Sequence, residues 1–412
     1  LSKDPILDNF PRRIAHFDLD TFFVAVERTL DASLIGKPVL VGGKSRRSVV
    51  AAASYESRQY GCHSAQPMTQ ALRLCPDAIV VTPKFNEYRR ISKSFHSILR
   101  DISPVVESVG IDEAYVDLTG IPVGSQFPHT QRWSTAGLIA ENVRKRVRKE
   151  LDIAVSVCIA ETKTTAKVGS DQAKPDGLIE IPEGGDKEFL SSLPMRELPM
   201  VGPKLAEALS IAGVKTIGDI ALLNEQWLQQ RFGRLGQLLF RRANGIDYEP
   251  VSANAKSARS ISKETTFSDD VTEIEQLLKT LLAHSQKVTR TLRASNKRAK
   301  TVTIKIRWNN FETITRNYTL DRPTQSSRTV FIAGKKIIEK LSETHSKSIR
   351  PVRLIGIGLT NLVHDEIQLE LDDLMKVPNG KTVRGEILET RIDSVLDQIN
   401  SRFGELTIHR GV

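Results

Sequence analysis

Residues 14–27, IAHFDLDTFFVAVE, constrain the fold more than any other stretch of the chain. The run begins as an apolar alternation and ends at helical spacing, so it reads as a buried strand running directly into a helix. In the strand, His16, Asp18 and Asp20 share one face while Phe17 and Leu19 take the other. A carboxylate among apolar strand residues is costly unless it is paired or bound to a metal. Asp18 is therefore either a strand-end acid touching a lysine or a ligand of a hard cation. Mg2+ suits the second role, because it is held by one or two carboxylates together with substrate phosphates.

A second acidic point follows at Asp112-Glu113, between Gly110 and the run AYVDL. Residues 105–120 read as two short strands meeting near Gly110. Strand alternation sends neighbouring side chains to opposite faces. The two acids face one site only if the chain bends there, and Gly110 permits a bend; otherwise they are an exposed turn pair. Two cationic segments accompany them. In ASYESRQYG, Tyr55 and Arg58 lie three apart and share a face on a helical turn. In QAKPDG, Lys174 precedes a Pro-Asp-Gly turn. Each cation is either a phosphate contact or a plain surface charge.

The remaining pattern separates into regions. Strands are expected at 37–43, 48–55 and 153–162, and helices at 68–76, 86–102 and 132–151. From about 187 to 248 the spacing is all helical, with two helical runs around Val-Gly-Pro-Lys (201–204). Residues 248–264 are polar and aperiodic and read as a linker. A helix at 271–294, strands at 301–308 and 312–320, a helix at 330–343 and a strand at 350–363 then give a small βαββαβ-like domain, followed by a helical tail at 383–404. Residues 256–364 hold 21 Lys and Arg against 9 Asp and Glu, a net of +12, whereas the rest of the chain has a net of −2. Charge concentrated in one region suits a surface that tracks phosphates, and also ribosomal or lipid contact. No apolar run of about 18 residues indicates a membrane span. The N-terminal residues lack the apolar core of a signal peptide. Cys62, Cys75 and Cys158 show no metal or redox spacing, which fits a reducing cytoplasm.

FDLDTFF, ASYESRQYG, SVGIDEAYVDLTG and SDQAKPDG, in this order and at these separations, resemble the Y-family (translesion) DNA polymerases. The resemblance is nearest to the DNA polymerase IV, or DinB-type, branch. It implies an α+β multidomain fold: a polymerase right hand of palm, fingers and helical thumb, plus a C-terminal little finger of βαββαβ form that binds DNA. The implied boundaries are 1–21 and 85–181 for the palm, 22–84 for the fingers, 182–248 for the thumb with a helix-hairpin-helix, 249–257 for a linker, 258–372 for the little finger and 373–412 for the tail.

The resemblance also assigns roles. Asp18, Asp112 and Glu113 match the catalytic ligands of two Mg2+ ions, with the Leu19 carbonyl as a further ligand. Asp18 and Asp112 would bridge both ions, and Glu113 would lie nearer the primer side. Tyr55, Arg58, Lys174 and the backbone N–H groups of Phe22 and Phe23 match the holders of a dNTP triphosphate. Phe23 matches the steric gate that rejects a ribose 2′-OH, although both phenylalanines also suit a core. Gly202 and Lys204 in the helix-hairpin-helix, with Arg259, Lys263, Arg298, Lys300, Lys305 and Arg307, match the track for primer-template DNA. Gln368, Leu369 and Leu371 resemble a sliding-clamp peptide, but Asp372 and Asp373 replace its usual apolar ending.

Three departures from the family pattern stand out. The run Ala52-Ala53-Ser54-Tyr55 lacks the Thr that the family commonly has two residues before its Asn-Tyr pair, which removes one hydroxyl from the triphosphate and weakens nucleotide binding. Ala51 to Ala53 also leave small side chains in the fingers and suggest a loosely enclosed base pair, hence low fidelity. Met200 stands where the hairpin turn usually has glycine. Cys158 replaces a common glycine. No exonuclease motif is present, so proofreading is not expected. The implied enzyme is a cytoplasmic, monomeric DNA-directed DNA polymerase active in DNA repair. A carboxylate-deficient adaptor, a nucleotide cyclase and a plain DNA-binding module are the competing readings.

Overall fold

The computed structural model describes residues 11–121, 134–254, 257–343, 350–364, 383–404 and 408. The chain divides into two compact units, 1–255 and 256–412.

The first unit is organised around β1 (Ile14–Leu19), which leads into α1 (Phe22–Leu30). Then come β2 (Val39–Gly42), β3 (Val50–Ala53), α2 (Tyr55–Arg58), α3 (Met68–Leu74), β4 (Ile79–Val81) and α4 (Phe85–Arg100). β5 (Val106–Ser108), β6 (Glu113–Asp117), α5 (Thr135–Leu151), β7 (Val155–Ala160), α6 (Lys163–Gln172) and β8 (Leu178–Glu180) follow. The main sheet has the order β5-β6-β1-β7-β8, so β1 lies at its centre. Both faces of β1 are covered. Ala15, Phe17 and Leu19 enter the large core with Phe22, Tyr88 and Phe95, and His16, Asp18 and Asp20 are buried on the other face. Each large apolar side chain buried in this way contributes about 1.5–3 kcal/mol. A smaller sheet, β3-β2-β4, accompanies the main one.

The helical region comprises α7 (Asp186–Ser191), α8 (Pro203–Ile211), α9 (Ile217–Leu222), α10 (Glu225–Phe232) and α11 (Arg234–Ala243). Here the structure differs from the sequence reading. The run before Val201 is a single 3-10 turn, Met195–Glu197, not a helix. Pro203 opens α8 at a position where its missing N–H has no helical partner to lose. Met200 has φ of 80°. It takes the left-handed conformation that glycine adopts without steric penalty. The residue that departs from the family pattern thus keeps the turn's backbone.

The second unit holds β9 (Ile261–Val271), α12 (Ile274–Ala294), β10 (Lys297–Trp308), β11 (Thr313–Thr324), α13 (Ser327–Glu343), β12 (Val352–His364) and α14 (Val383–Phe403). Its sheet has the antiparallel order β11-β10-β12-β9. β9 corrects the sequence reading, which ran the linker to residue 264. The strand is mostly polar because it lies at the sheet edge; its core contacts are made by Ile261, Phe267 and Val271. It supplies the first strand of the βαββαβ order. Gln368, Leu369 and Leu371 lie outside the described residues. Among the described residues, no helix is long and apolar enough to cross a membrane.

Candidate active site

The pairing of β1 creates the site. Asp18 lies directly opposite Glu113 on β6 and opposite Ser156 on β7. Directly opposed residues of an antiparallel pair project to the same face, so Glu113 meets Asp18. Asp112 sits one residue before β6, where the strand has ended. Its carbonyl accepts from the Leu19 N–H at 2.9 Å, while the Val109 and Gly110 N–H groups both reach the Glu113 carbonyl, at 3.2 and 3.3 Å. This bend resolves the parity conflict. A Cβ added at Gly110 would lie 3.1 Å from Asp112 Oδ1 and 3.1 Å from Glu113 Cγ. Both acid side chains therefore pass over the same glycine.

Charge fixes how tightly the acids group. Among the described residues, His16, Asp18 and Glu113 each place a potential ligand atom within 4.8 Å of the others. Asp112 is not part of that set. Burial, and then the charges of Asp18 and Glu113, push its carboxyl above the ordinary range. Glu113 is held down, to about 2, by the His16 ring and Lys167 against the opposing effect of burial. His16 Nε2 is 3.5 Å from Glu113, beyond a normal hydrogen bond. We therefore assign most of the shift to Lys167, whose Nζ is 2.7 Å from Glu113 and 3.2 Å from Asp18.

Lys167 was not legible as a site residue from motifs. Its signal is periodicity: Lys167, Asp171 and Lys174 recur at helical spacing along and just beyond α6. Lys174 Nζ lies 2.9 Å from Asp18 and 2.7 Å from Asp171. Burial opposes the charge on both lysines, but the neighbouring carboxylates outweigh it and raise both ammonium pKa values. His16, fully buried, is fixed from below by Ser170, with Nδ1 to Oγ at 2.7 Å. Ser170 Oγ donates to the Lys167 carbonyl at 2.8 Å, so His16 Nδ1 is the donor of that pair. Asp20 accepts from Ser156 Oγ at 2.8 Å and the Asp176 N–H at 2.6 Å, which anchors the Lys174-Pro-Asp-Gly turn to β1.

The other expected residues surround this centre. Phe22 is buried in the core, whereas Phe23 is half-buried at the start of α1. Their N–H groups belong to a first helical turn that no Thr21 side-chain bond caps. Tyr55 is half-buried. Burial and the charge of Asp20 push its phenol up, and its hydroxyl has no hydrogen-bond partner. Arg58 lies 5.3 Å from the Tyr55 ring centre and donates Nε to the Ala53 carbonyl at 3.1 Å. Ala52 and Ala53 are buried, so of the three alanines only Ala51 is left partly exposed. Cys158 is also buried and packs against α6: a Cβ at Gly169 would lie 2.2 Å from its Sγ.

The donor set fits a hard divalent cation: clustered carboxylate oxygens, no thiolate and two orphaned polar atoms, His16 Nε2 and Tyr55 Oη. Elsewhere in this unit, Gly202 and Lys204 are exposed at the start of α8.

The basic residues of the second unit divide by face. Lys305 lies opposite Gly356, which lies opposite Glu264, and Lys305 Nζ reaches Glu264 at 2.8 Å. Arg307 Nε donates to Thr313 Oγ1 at 2.8 Å on the same open face. A register shift between Ala299 and Thr301 puts Lys300 in a bulge and returns Arg298 to that face. Lys263 differs. It lies opposite Ile357, a core residue, and so projects to the helix-covered face. Arg259 is exposed just before β9.

Known proteins match this architecture along most of its length. Residues 17–171 match the impB/mucB/samB family, residues 258–371 its C-terminal domain, and residues 196–247 the thumb domain of DNA polymerase-iota. A DNA polymerase IV of Dehalococcoides mccartyi is 37% identical over 97% of both chains. One from Halorhodospira halophila is 37% identical over 85% of this chain and 95% of its own. A solved Y-family DNA polymerase chimera superposes with a TM-score of 0.74 at 24% identity, over 85% of this chain and 99% of that one.

Proposed function

Because the chain belongs to the impB/mucB/samB family of Y-family DNA polymerases, and is thereby a DNA-directed DNA polymerase, we propose that it copies damaged template with low fidelity through the site built on β1. One observation carries the assignment. Asp112 and Glu113 pass over Gly110, Glu113 faces Asp18 across the β1–β6 pair beside two lysines, and the half-buried Phe23 ring stands on the helix that β1 enters.

Asp18, Asp112, Glu113 and the Leu19 carbonyl would hold two Mg2+ ions. When bound, such a pair stabilises the attacking and leaving oxygens of an in-line displacement together. The protein's own groups do the positioning. Arg58, Lys174 and the Tyr55 hydroxyl hold the β- and γ-phosphates of the dNTP, and the first-turn N–H groups of Phe22 and Phe23 add donors. The primer 3′-hydroxyl attacks the α-phosphate, the bond to the β-phosphate oxygen breaks, and pyrophosphate leaves. Lys174 shifts from Asp18 to phosphate as the nucleotide enters. The Phe23 ring lies under the sugar and excludes a 2′-hydroxyl. Positioning and charge account for most of such a reaction.

Primer-template DNA is held at Gly202, Lys204 and Arg259 and on the open sheet face that carries Arg298, Lys305 and Arg307, with Lys300 at its bulge. The chain works as a cytoplasmic monomer in DNA repair and meets a sliding clamp through Gln368, Leu369 and Leu371. The test is primer extension with dNTPs and with rNTPs, with and without Mg2+. Mg2+-dependent extension by dNTPs alone supports the proposal, and extension in EDTA refutes it.

A further inference from the structure

Behind Phe23 lies a buried polar device that the reaction itself does not use. The Phe23 ring stacks on Tyr88 with centroids 4.3 Å apart and planes 14° from parallel. Phe85 closes the side, edge-on to Phe23 at 6.1 Å. Tyr88 is fully buried and donates its hydroxyl to Glu27 Oε1 at 2.6 Å. Glu27 is also fully buried, and its other oxygen accepts from Lys84 Nζ at 2.9 Å. Phe23 and Glu27 are four apart on α1. Lys84 and Tyr88 are four apart at the start of α4. Each pair therefore shares a face, and the two faces meet.

A carboxylate at this depth is costly unless every donor it needs is supplied. An apolar side chain would fill the space without that cost. What the carboxylate adds is a short charge-assisted bond that fixes the far end of the Tyr88 ring, while the α4 backbone fixes the near end. The ring cannot swing, so the aromatic ring stacked on it has no room to retreat.

We propose that Tyr88, anchored by Glu27, is a positioning residue for sugar selection: it backs the Phe23 ring so that a ribose 2′-hydroxyl cannot push the ring aside. The inference rests on the reading of Phe23 as the sugar-selecting side chain.

The experiment measures single-nucleotide insertion by the full chain on primer-template DNA, comparing CTP with dCTP opposite dG. The readout is the ratio of the two kcat/KM values, accompanied by Tm for each variant. Phe23→Ala should open the ratio widely. Tyr88→Leu should raise it about tenfold, the upper end of what an aromatic pair contributes. Tyr88→Phe keeps the ring, folds without a cavity and loses only the anchor; it should raise the ratio about threefold. Glu27→Gln retains an acceptor for Tyr88 and should stay within about twofold of wild type. Phe23→Ala/Tyr88→Leu should be no more permissive than Phe23→Ala. Wild-type ratios in both Tyr88 variants, with Phe23→Ala open, overturn the inference while leaving the gate standing. An open ratio in Tyr88→Leu alone overturns the anchoring by Glu27. A wild-type ratio in Phe23→Ala removes the gate, and this inference with it.

Discussion

Lys167→Met isolates the electrostatics of the carboxylate cluster. Lys167 Nζ is 2.7 Å from Glu113 and 3.2 Å from Asp18, with side-chain exposures of 27%, 26% and 10% respectively. Removing one partner of a fully buried pair costs about 3–5 kcal/mol. Partial exposure reduces that, and Lys174 remains on Asp18 at 2.9 Å; we expect a loss of about 2 kcal/mol. For a unit of this size, 1 kcal/mol moves Tm by about 2–4 °C, so the variant should melt about 4–8 °C below wild type in EDTA. Divalent cations binding the same carboxylates supply the missing positive charge. In saturating Mg2+ most of the deficit should vanish. Scanning calorimetry of both proteins in both buffers reads this directly, following the transition that Mg2+ moves in wild type. An equal deficit with and without Mg2+ would show that Lys167 supports packing and not charge.

Other consequences follow from the same geometry. Asp112 has a raised pKa, so its ionised form weakens the fold. Asp112→Asn should therefore stabilise the protein in EDTA at neutral pH by roughly 1 kcal/mol, and the gain should disappear as pH falls through the raised value; a gain unchanged across a pH series of Tm would contradict this. Glu113 is the opposite case. Its stabilising contribution is complete above the ordinary value of 4.5 and is lost as pH falls towards about 2, so the deficit of Glu113→Gln in EDTA should shrink over that window. Met200→Gly relieves a left-handed methionine and should add about 1 kcal/mol, read as a rise in Tm. Lys305→Ala and Arg307→Ala should each lower the salt slope of DNA binding by about 1, whereas Lys263→Ala, at an exposed position but on the helix side of the edge strand, should lower it less.

How much of this was visible in the sequence depends on what kind of information each feature carries. β1 was legible because apolar alternation around a lone acid has few folded solutions. The meeting of Asp112 and Glu113 was legible as a condition, a bend at Gly110, and the structure meets it by ending the strand at Glu113. Lys167 was hidden because a single lysine on a helix looks like any solvated charge; only pairing of α6 with the central strand reveals its partners. β9 was hidden because an edge strand needs few apolar residues, so ISKETTFSDDV resembles a polar linker. The facing of Lys263 depends on its register with Ile357, which composition does not encode. Met200 shows the reverse. The departure from glycine was plain in the sequence, but only the backbone shows that the turn tolerates it, at φ of 80°. Glu27 and Tyr88 lie 61 residues apart, and nothing local to either marks the bond between them.

The central claim is that the acids assembled on β1 and β6 perform nucleotide transfer. Single-turnover insertion of one dNTP in Mg2+ by Asp18→Asn and Asp112→Asn, alongside DNA-binding titrations, tests it most directly. Insertion should fall by a factor on the order of a thousand or more in each, with DNA affinity within about twofold of wild type, since the DNA track carries other charges. Insertion within about tenfold of wild type in either variant would contradict the assignment.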